Sequence, residues 1–339
     1  MTLFSRLAKA AALTLATLSL AALSAAQPAL AEGRIRLSEQ FGTLYLPLHV
    51  IRDQNLLEKH AAQQGLDGIE VEWHKISGGN AVNDALLSGS IDVGAAGIGP
   101  FLTLWDRTDG GVRIIGGLAH QPNYLITNNP DIRTLRDFSD ADKIALPAVG
   151  VSVQARILQI AAEKEFGEGR HDALDHLTVG LPHPDATAAL LTGSTEVTAH
   201  LSNTPFQEQA LREEGIHRVF SSFEVLGQPI TPTYVYATVE FREQNPKTYA
   251  AFLAAFREAS AWIEANKAEA VETYIRVENS RLEPEFVLSL LESPESEFTL
   301  VPAGSFIFAD FLHRIGALKK KADSWKDYTF EDLHDEDGS

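Results

Sequence analysis

The 339-residue chain contains no cysteine and a single methionine. Without thiols it can have no disulfide framework, no thiolate metal ligands, no cysteine nucleophile and no lipid attached through a cysteine behind a leader. Cations are scarce as well. Lys and Arg number 28 against 46 Asp and Glu, a formal charge of −18, and such a surface repels nucleic acid and anionic membrane. A solvated acidic exterior that keeps the protein soluble is sufficient to explain it. Catalytic signatures are missing too. Gly150-Val151-Ser152-Val153-Gln154 is not Gly-x-Ser-x-Gly, there is no phosphate-binding Gly-x-x-x-x-Gly-Lys-[Ser/Thr], and no Gly-x-Gly-x-x-Gly opens a helix after the first strand. An enzyme is therefore not expected.

What is present begins with an address. Arg6 and Lys9 precede an apolar run over 10–23, and Ala29-Leu30-Ala31 supplies a small-x-small cleavage pattern. The run is about 14 residues, short of the roughly 20 needed to span a bilayer. A cleaved signal peptide over 1–31 and a mature protein free in the periplasm are expected. Loss of Arg6 and Lys9 leaves 26 basic against 46 acidic residues, a formal charge of −20. Roughly 300 mature residues exceed one ordinary core, so two lobes are expected.

Glycine and proline punctuate an alternation of strands and helices. "RIRLSEQ" reads as a strand, "LYLPLHVIRDQNLLEKHAAQQG" as a helix closed by Gly65, and "IEVEWHKI" as an alternating strand before the turn Ser77-Gly78-Gly79-Asn80. A helix over 81–87, the strand "IDVGAAG", the helix "PFLTLWDRT" and the strand "VRIIGGLA" follow. Farther on, "KIALPAV" and "HLTVGLP" are strands around a helix over 153–166, and "EVTAHLS" follows a helix over 186–191. This is an α/β pattern with largely parallel sheets. Beyond 235 the chain changes character: 245–275 is a long amphipathic helical region, followed by more helix to Leu318 and a charged tail expected to pack loosely.

One internal similarity organises the rest. Leu86-Leu87-Ser88-Gly89-Ser90 recurs as Leu190-Leu191-Thr192-Gly193-Ser194, and Pro100-Phe101 recurs as Pro205-Phe206. The copies imply two lobes of similar topology. The same shift sets 77–80 beside 181–184 and 97–99 beside 201–203. Since ligands of open α/β sheets sit outside the carboxyl ends of the strands, these loops would face each other across one cleft holding a small molecule.

The stretch "SGGNAVNDALLSGSIDVGAAGIGP" and the later "NPKTYAAFLAAFREASAWI", in an exported chain without cysteine, resemble the periplasmic solute-binding proteins of ABC importers, specifically the nitrate/sulfonate/taurine class. The resemblance runs from about 33 to about 325. It implies a two-lobed periplasmic-binding-protein fold of type II-like topology, with two crossovers forming a hinge. Lobe one would comprise 33–122 plus 232–325, lobe two 123–231, and a charged tail 326–339. "AHQPNY" and "GQPITPTY" would be the crossovers, or ordinary turns. The implied function is delivery of a small organic solute to an ABC permease and its ATPase by a monomeric protein without a cofactor. A receptor for another transporter or a ligand-sensing subunit would use the same closing lobes. Pyrimidine-precursor synthases of related fold use cysteines, which this chain lacks.

Candidate ligand-binding residues follow. Ser77, Gly78, Gly79 and Asn80 either cap a helix or present amides to an anion; the resemblance favours the second. Ser152, a helix cap in its own right, and Gln154 repeat the device in lobe two. Gln40 lies in the loop after the first strand where the family contacts its ligand; nearby Phe41 and Tyr45 read first as core. Gly99, with Gly97, would let backbone approach a ligand. His183 and Asn203 occupy the lobe-two mouths. His74, His120, His183 and His200 show no metal-ligand spacing, so no metal is expected. Neither 77–80 nor 97–100 nor 200–204 contains Arg or Lys, Lys75 sits in a strand, and Arg156 lies a turn beyond Ser152. A dianion would want such partners; a monoanion held by amides, or a neutral or aromatic solute, remains open.

Overall fold

The structure, a computed structural model, describes residues 32–193 and 196–339. The signal-peptide reading of 1–31 lies outside the described residues, as does Ser194. Among those described, no helix is long and apolar enough to cross a membrane.

Ten strands form two five-stranded sheets. The chain lays down β1 (Arg34–Glu39), β2 (Glu70–Lys75), β3 (Val93–Gly97) and β4 (Val112–Gly117), then β5 (Tyr124–Thr127), β6 (Lys143–Leu146), β7 (Thr178–Gly180), β8 (Val197–Leu201) and β9 (His217–Ser221), and finally β10 (Thr233–Thr238). The first sheet runs β2-β1-β3-β10-β4 and the second β7-β6-β8-β5-β9. Strands β1 and β2 pair in parallel from Arg34↔Glu70, whereas β10 is antiparallel to β3 and β4. Likewise β6 is parallel to β7 and β8, and β5 antiparallel to β8 and β9. The two sheets therefore share one topology, with β3 and β8 equivalent. Each is preceded by one copy of the Leu-Leu-[Ser/Thr]-Gly repeat. In each sheet the single antiparallel strand is the one reached by crossing from the other. The chain crosses after Gly117 and again before Thr233, within "AHQPNY" and "GQPITPTY".

The core is thickest around the first sheet, where Phe101, Trp105, Tyr234, Tyr236, Phe252, Phe256 and Tyr328 are fully buried. Three expectations need correction. The helix after β1 is two helices, α1 (Leu46–Asp53) and α2 (Leu56–Gln63), because Asn55 takes a left-handed conformation at φ 52°, which Asn tolerates better than most residues. The long helical region is also interrupted. Pro246–Ala265 and Lys267–Glu278 break at Asn266, whose side-chain amide donates to the carbonyl of Trp262 at 2.8 Å and so competes with helix continuation. The tail does not pack loosely. Trp325, Tyr328, Phe330 and Leu333 are buried, Thr329 bridges Ile114 of β4, and the Ser305 N–H donates to Ser339 at 2.7 Å. Aromatic and aliphatic residues spaced among the charges provide an apolar face that outweighs them.

Candidate functional site

A cavity of about 40 Å³ lies where the two sheets face each other, outside the carboxyl ends of β1, β3, β6 and β8. Its walls are Gln40, Phe41, Tyr45, Ser77, Gly79, Gly97, Pro100 and Thr233 from the first sheet's side, with Pro147, Ser152, Val153, Gln154, His183 and Asn203 from the second. Four helices begin at it: α3 (Gly79–Leu87), α4 (Ile98–Arg107), α5 (Val153–Phe166) and α6 (His183–Thr192). Each N-terminus carries unpaired N–H groups and a partial positive charge, so four such ends converge on one volume. No Lys or Arg lines it. The arrangement suits a small oxyanion whose charge is met by backbone and neutral side chains.

Local sequence explains how these ends come so close. A Cβ on Gly79 would lie 2.2 Å from Pro100 Cγ, so glycine lets α3 and α4 start side by side. A Cβ on Gly99 would lie 2.3 Å from the Val151 carbonyl oxygen, and one on Gly97 would lie 2.9 Å from Val153 Cβ. Here helix α4 of one half abuts α5 of the other. The seam is closed further by the Thr43 N–H donating to the Thr204 carbonyl at 3.0 Å and by Asn203 Nδ2 donating to the Phe41 carbonyl at 3.1 Å. That second bond fixes the Asn203 amide, leaving Oδ1 as an acceptor that is buried without a partner.

Of the residues singled out from sequence, Gln40, Ser77, Gly79, Ser152, Gln154, His183 and Asn203 line the cavity, while Gly78, Asn80 and Gly99 do not. Gly78 is the residue before α3 at φ 87°, and its N–H donates to Gln40 Oε1 at 2.9 Å while Gln40 Nε2 donates to Ala95 O. Asn80 is exposed because α3 begins one residue earlier than it and turns its side chain outward; Asn83 is the inward amide, donating to Pro100 O and accepting from Tyr236. Gly99 allows the close approach of the Val151 carbonyl. Ser152 does cap α5, accepting from the Ala155 N–H at 3.2 Å. Arg156 is buried away from the cavity, its Nη1 donating to Gln159, which donates to Asp175. Burial lowers its pKa against the opposing pull of Asp175.

His183 belongs to a buried relay. Thr187 donates its hydroxyl proton to the His183 carbonyl at 2.8 Å, so its oxygen can only accept from His200 Nδ1, 3.5 Å away. His200 Nε2 then accepts from His183 Nδ1 at 2.9 Å, and His183 Nε2 accepts from Gln154 Nε2 at 3.2 Å. Both rings are neutral: burial pushes His183 down to about 3, and burial followed by its neighbour lowers His200 well below 6.5. Gln154 thereby presents an oriented amide rather than a cation. Pro147, Thr233 and Val153 were not singled out. Thr233 holds the buried Tyr45 hydroxyl, and its only sequence signal is its place just after a crossover proline.

A second polar cluster lies behind Phe41. His49 is fully buried beside Glu39 and Glu278, with Lys75 paired to Glu278 and set 4.9 Å from the Phe41 ring. Nothing in residue spacing brings 39, 49 and 278 together.

The family model described as the NMT1-like family matches residues 35–276. No curated protein matches the chain. Among solved structures, it is similar to the alkanesulfonate-binding protein SsuA from Xanthomonas axonopodis pv. citri bound to MOPS, at 20% identity over 86% of this chain and 96% of that one, TM-score 0.68. The periplasmic nitrate-binding protein NrtA from Synechocystis PCC 6803 matches at 18% identity, 89% and 87% coverage and TM-score 0.70. The periplasmic aliphatic sulphonate-binding protein SsuA from Escherichia coli matches at 20%, 89% and 93% coverage, and 0.65. At these identities the likeness is one of fold.

Proposed function

We propose that this chain, which belongs to the NMT1-like family, is a solute-binding protein that closes on a small oxyanion and passes it to an ABC importer. The observation that carries the reading is the meeting of four helix N-termini, two from each half, on a cavity without a cation. A monoanion is met by the partial positive charges of the four helix ends and loses little by lacking a guanidinium; a strongly charged dianion ordinarily takes Arg or Lys as partners, and none lines the cavity. Alkanesulfonates and nitrate, bound by the fold's relatives, fit that chemistry. The small volume favours compact members over bulky ones. Ser77, Ser152 and Gln154 supply the polar side chains, Gln40 and Asn203 brace the loops around them through their bonds to Gly78, Ala95 and Phe41, and Phe41 and Tyr45 form the apolar wall.

The chain acts without catalysis. Ligand bridges the halves, the closed form is stabilised by contacts that exist only there, and a permease reads closure. Cleavage of a leader over 1–31 and work as a periplasmic monomer beside a permease and its ATPase belong to the same reading. The test is a thermal-shift screen with alkanesulfonates, taurine, nitrate, pyrimidines and aromatic carboxylates. A ligand at 100 times its dissociation constant should stabilise the protein by about 2.7 kcal/mol. A shift with monoanions that Gln154→Ala abolishes supports the reading. Stabilisation only by neutral compounds, or by anions irrespective of Gln154 and Ser152, refutes it.

A further inference from the structure

We infer that Glu39, His49 and Glu278 form a binding site for a divalent transition metal of the Zn²⁺ type, one layer behind the cavity and independent of which solute the cavity holds. One ligand atom from each, His49 Nε2 and one oxygen of each carboxylate, lie within 4.8 Å of one another. His49 Nε2 is 3.1 Å from Glu278 Oε1 and 3.5 Å from Glu39 Oε2. Tetrahedral bonds of about 2.0–2.2 Å would set neighbouring ligand atoms about 3.3–3.6 Å apart, so the two distances from His49 Nε2 are close to those of a coordination shell, and a bound ion would draw in the two carboxylates, which lie within 4.8 Å of each other.

The hydrogen bonding agrees. Both ring nitrogens of His49 and Glu39 Oε2 are buried without a well-aligned hydrogen bond, although Nε2 stands 3.1 Å from Glu278 Oε1 and 3.5 Å from Glu39 Oε2. With no well-aligned hydrogen bond to either carboxylate, a neutral imidazole leaves its Nε2 lone pair available to an ion held between them. One imidazole with two carboxylates is a borderline-to-hard donor set, suited to Zn²⁺ or Co²⁺ and needing no thiol.

Two cations now occupy the outer edges. Lys75 Nζ lies 2.7 and 2.8 Å from the Glu278 oxygens, and Arg52 Nη1 lies 3.3 Å from Glu39 Oε1. Both are about one-third exposed and can withdraw to solvent. Glu278 also lines an open groove of about 340 Å³ on the seam with Phe41 and Tyr274, which gives an ion a route in. The Lys75 ammonium therefore competes directly with a metal for Glu278.

The test uses the untagged chain, stripped with chelator and titrated with Zn²⁺ by calorimetry and with Co²⁺ by visible absorption. One ion per chain is expected, with the intense Co²⁺ bands of four-coordination. His49→Gln and Glu278→Gln should each lose binding at least tenfold, with circular dichroism reporting the fold. Lys75→Met should tighten Zn²⁺ tenfold or more, an effect opposite to that of breaking a merely structural ion pair. No saturable binding by the unaltered chain overturns the assignment, as does binding that survives both His49→Gln and Glu278→Gln. So does a Lys75→Met variant whose affinity is unchanged or weaker.

Discussion

Substituting Gly99 by Ala adds one methyl group exactly at the seam. Its Cβ would stand 2.3 Å from the Val151 carbonyl oxygen and 3.0 Å from Arg156 Cγ, both in the opposite half. Ordinary contact begins near 3.4 Å, so the halves must part by about 1 Å at that point. Gly99 has no positive φ and sits in the first turn of α4, so alanine strains neither its own backbone nor its own half. The overlap falls wholly on closure. Overpacking of this kind costs about 1–3 kcal/mol, which lowers the closed-to-open ratio by roughly 5- to 150-fold and weakens ligand binding by the same factor. Calorimetry with the ligand from the screen, together with small-angle scattering, measures both effects. The urea midpoint of the ligand-free variant should barely move. Gly97→Ala, meeting Val153 at 2.9 Å, should weaken binding less. Gly89→Ala, at φ 70° with open space around it, should cost about 1–2 kcal/mol of stability and leave affinity intact. A Gly99→Ala protein that binds like the unaltered chain would refute the closure argument.

His183 and His200 are held neutral by burial; below pH 6.5 the unfolded chain takes up protons that the folded chain refuses, so stability declines as pH falls toward about 3, by up to about 1.4 kcal/mol per pH unit for each histidine. Urea denaturation from pH 7 to pH 4 should show a shallower decline in His183→Gln, and an equal slope would contradict it. Ser152→Ala should cost about 1 kcal/mol through loss of the α5 cap and weaken solute binding as well; a stability loss with unchanged affinity would remove Ser152 from the site. Tyr328→Ala, at a fully buried ring against Phe101 and Trp105, should lower stability by about 3–5 kcal/mol. A change under 1 kcal/mol would mean that the tail is not part of the core.

The α/β class, most strand positions and the equivalence of 77–97 with 181–203 were legible because hydrophobic periodicity, glycine turns and a repeat are local signals. So was the device of helix starts facing a cleft, which placed Gln40, Ser77, Gly79, Ser152, Gln154, His183 and Asn203 near one another before any coordinates. Gly78, Asn80 and Gly99 fall outside the cavity lining: the helix starts two residues before the expected 81, which turns Asn80 outward, and a glycine opening space for a ligand looks the same in sequence as one opening space for a carbonyl of the other half. The breaks at Asn55 and Asn266 were lost for a similar reason: a single residue's φ or side-chain bond outweighs an otherwise continuous amphipathic pattern. The cluster of Glu39, His49 and Glu278 lay beyond reach altogether. Sequence determined seven of the ten strands and which helix ends are uncharged, since those depend on near neighbours, but not β5, β9 or β10, whose place is set by pairing across the crossovers. Only the tertiary structure decided which ends meet and which buried atoms stay unpaired, since those depend on contacts between residues more than two hundred positions apart.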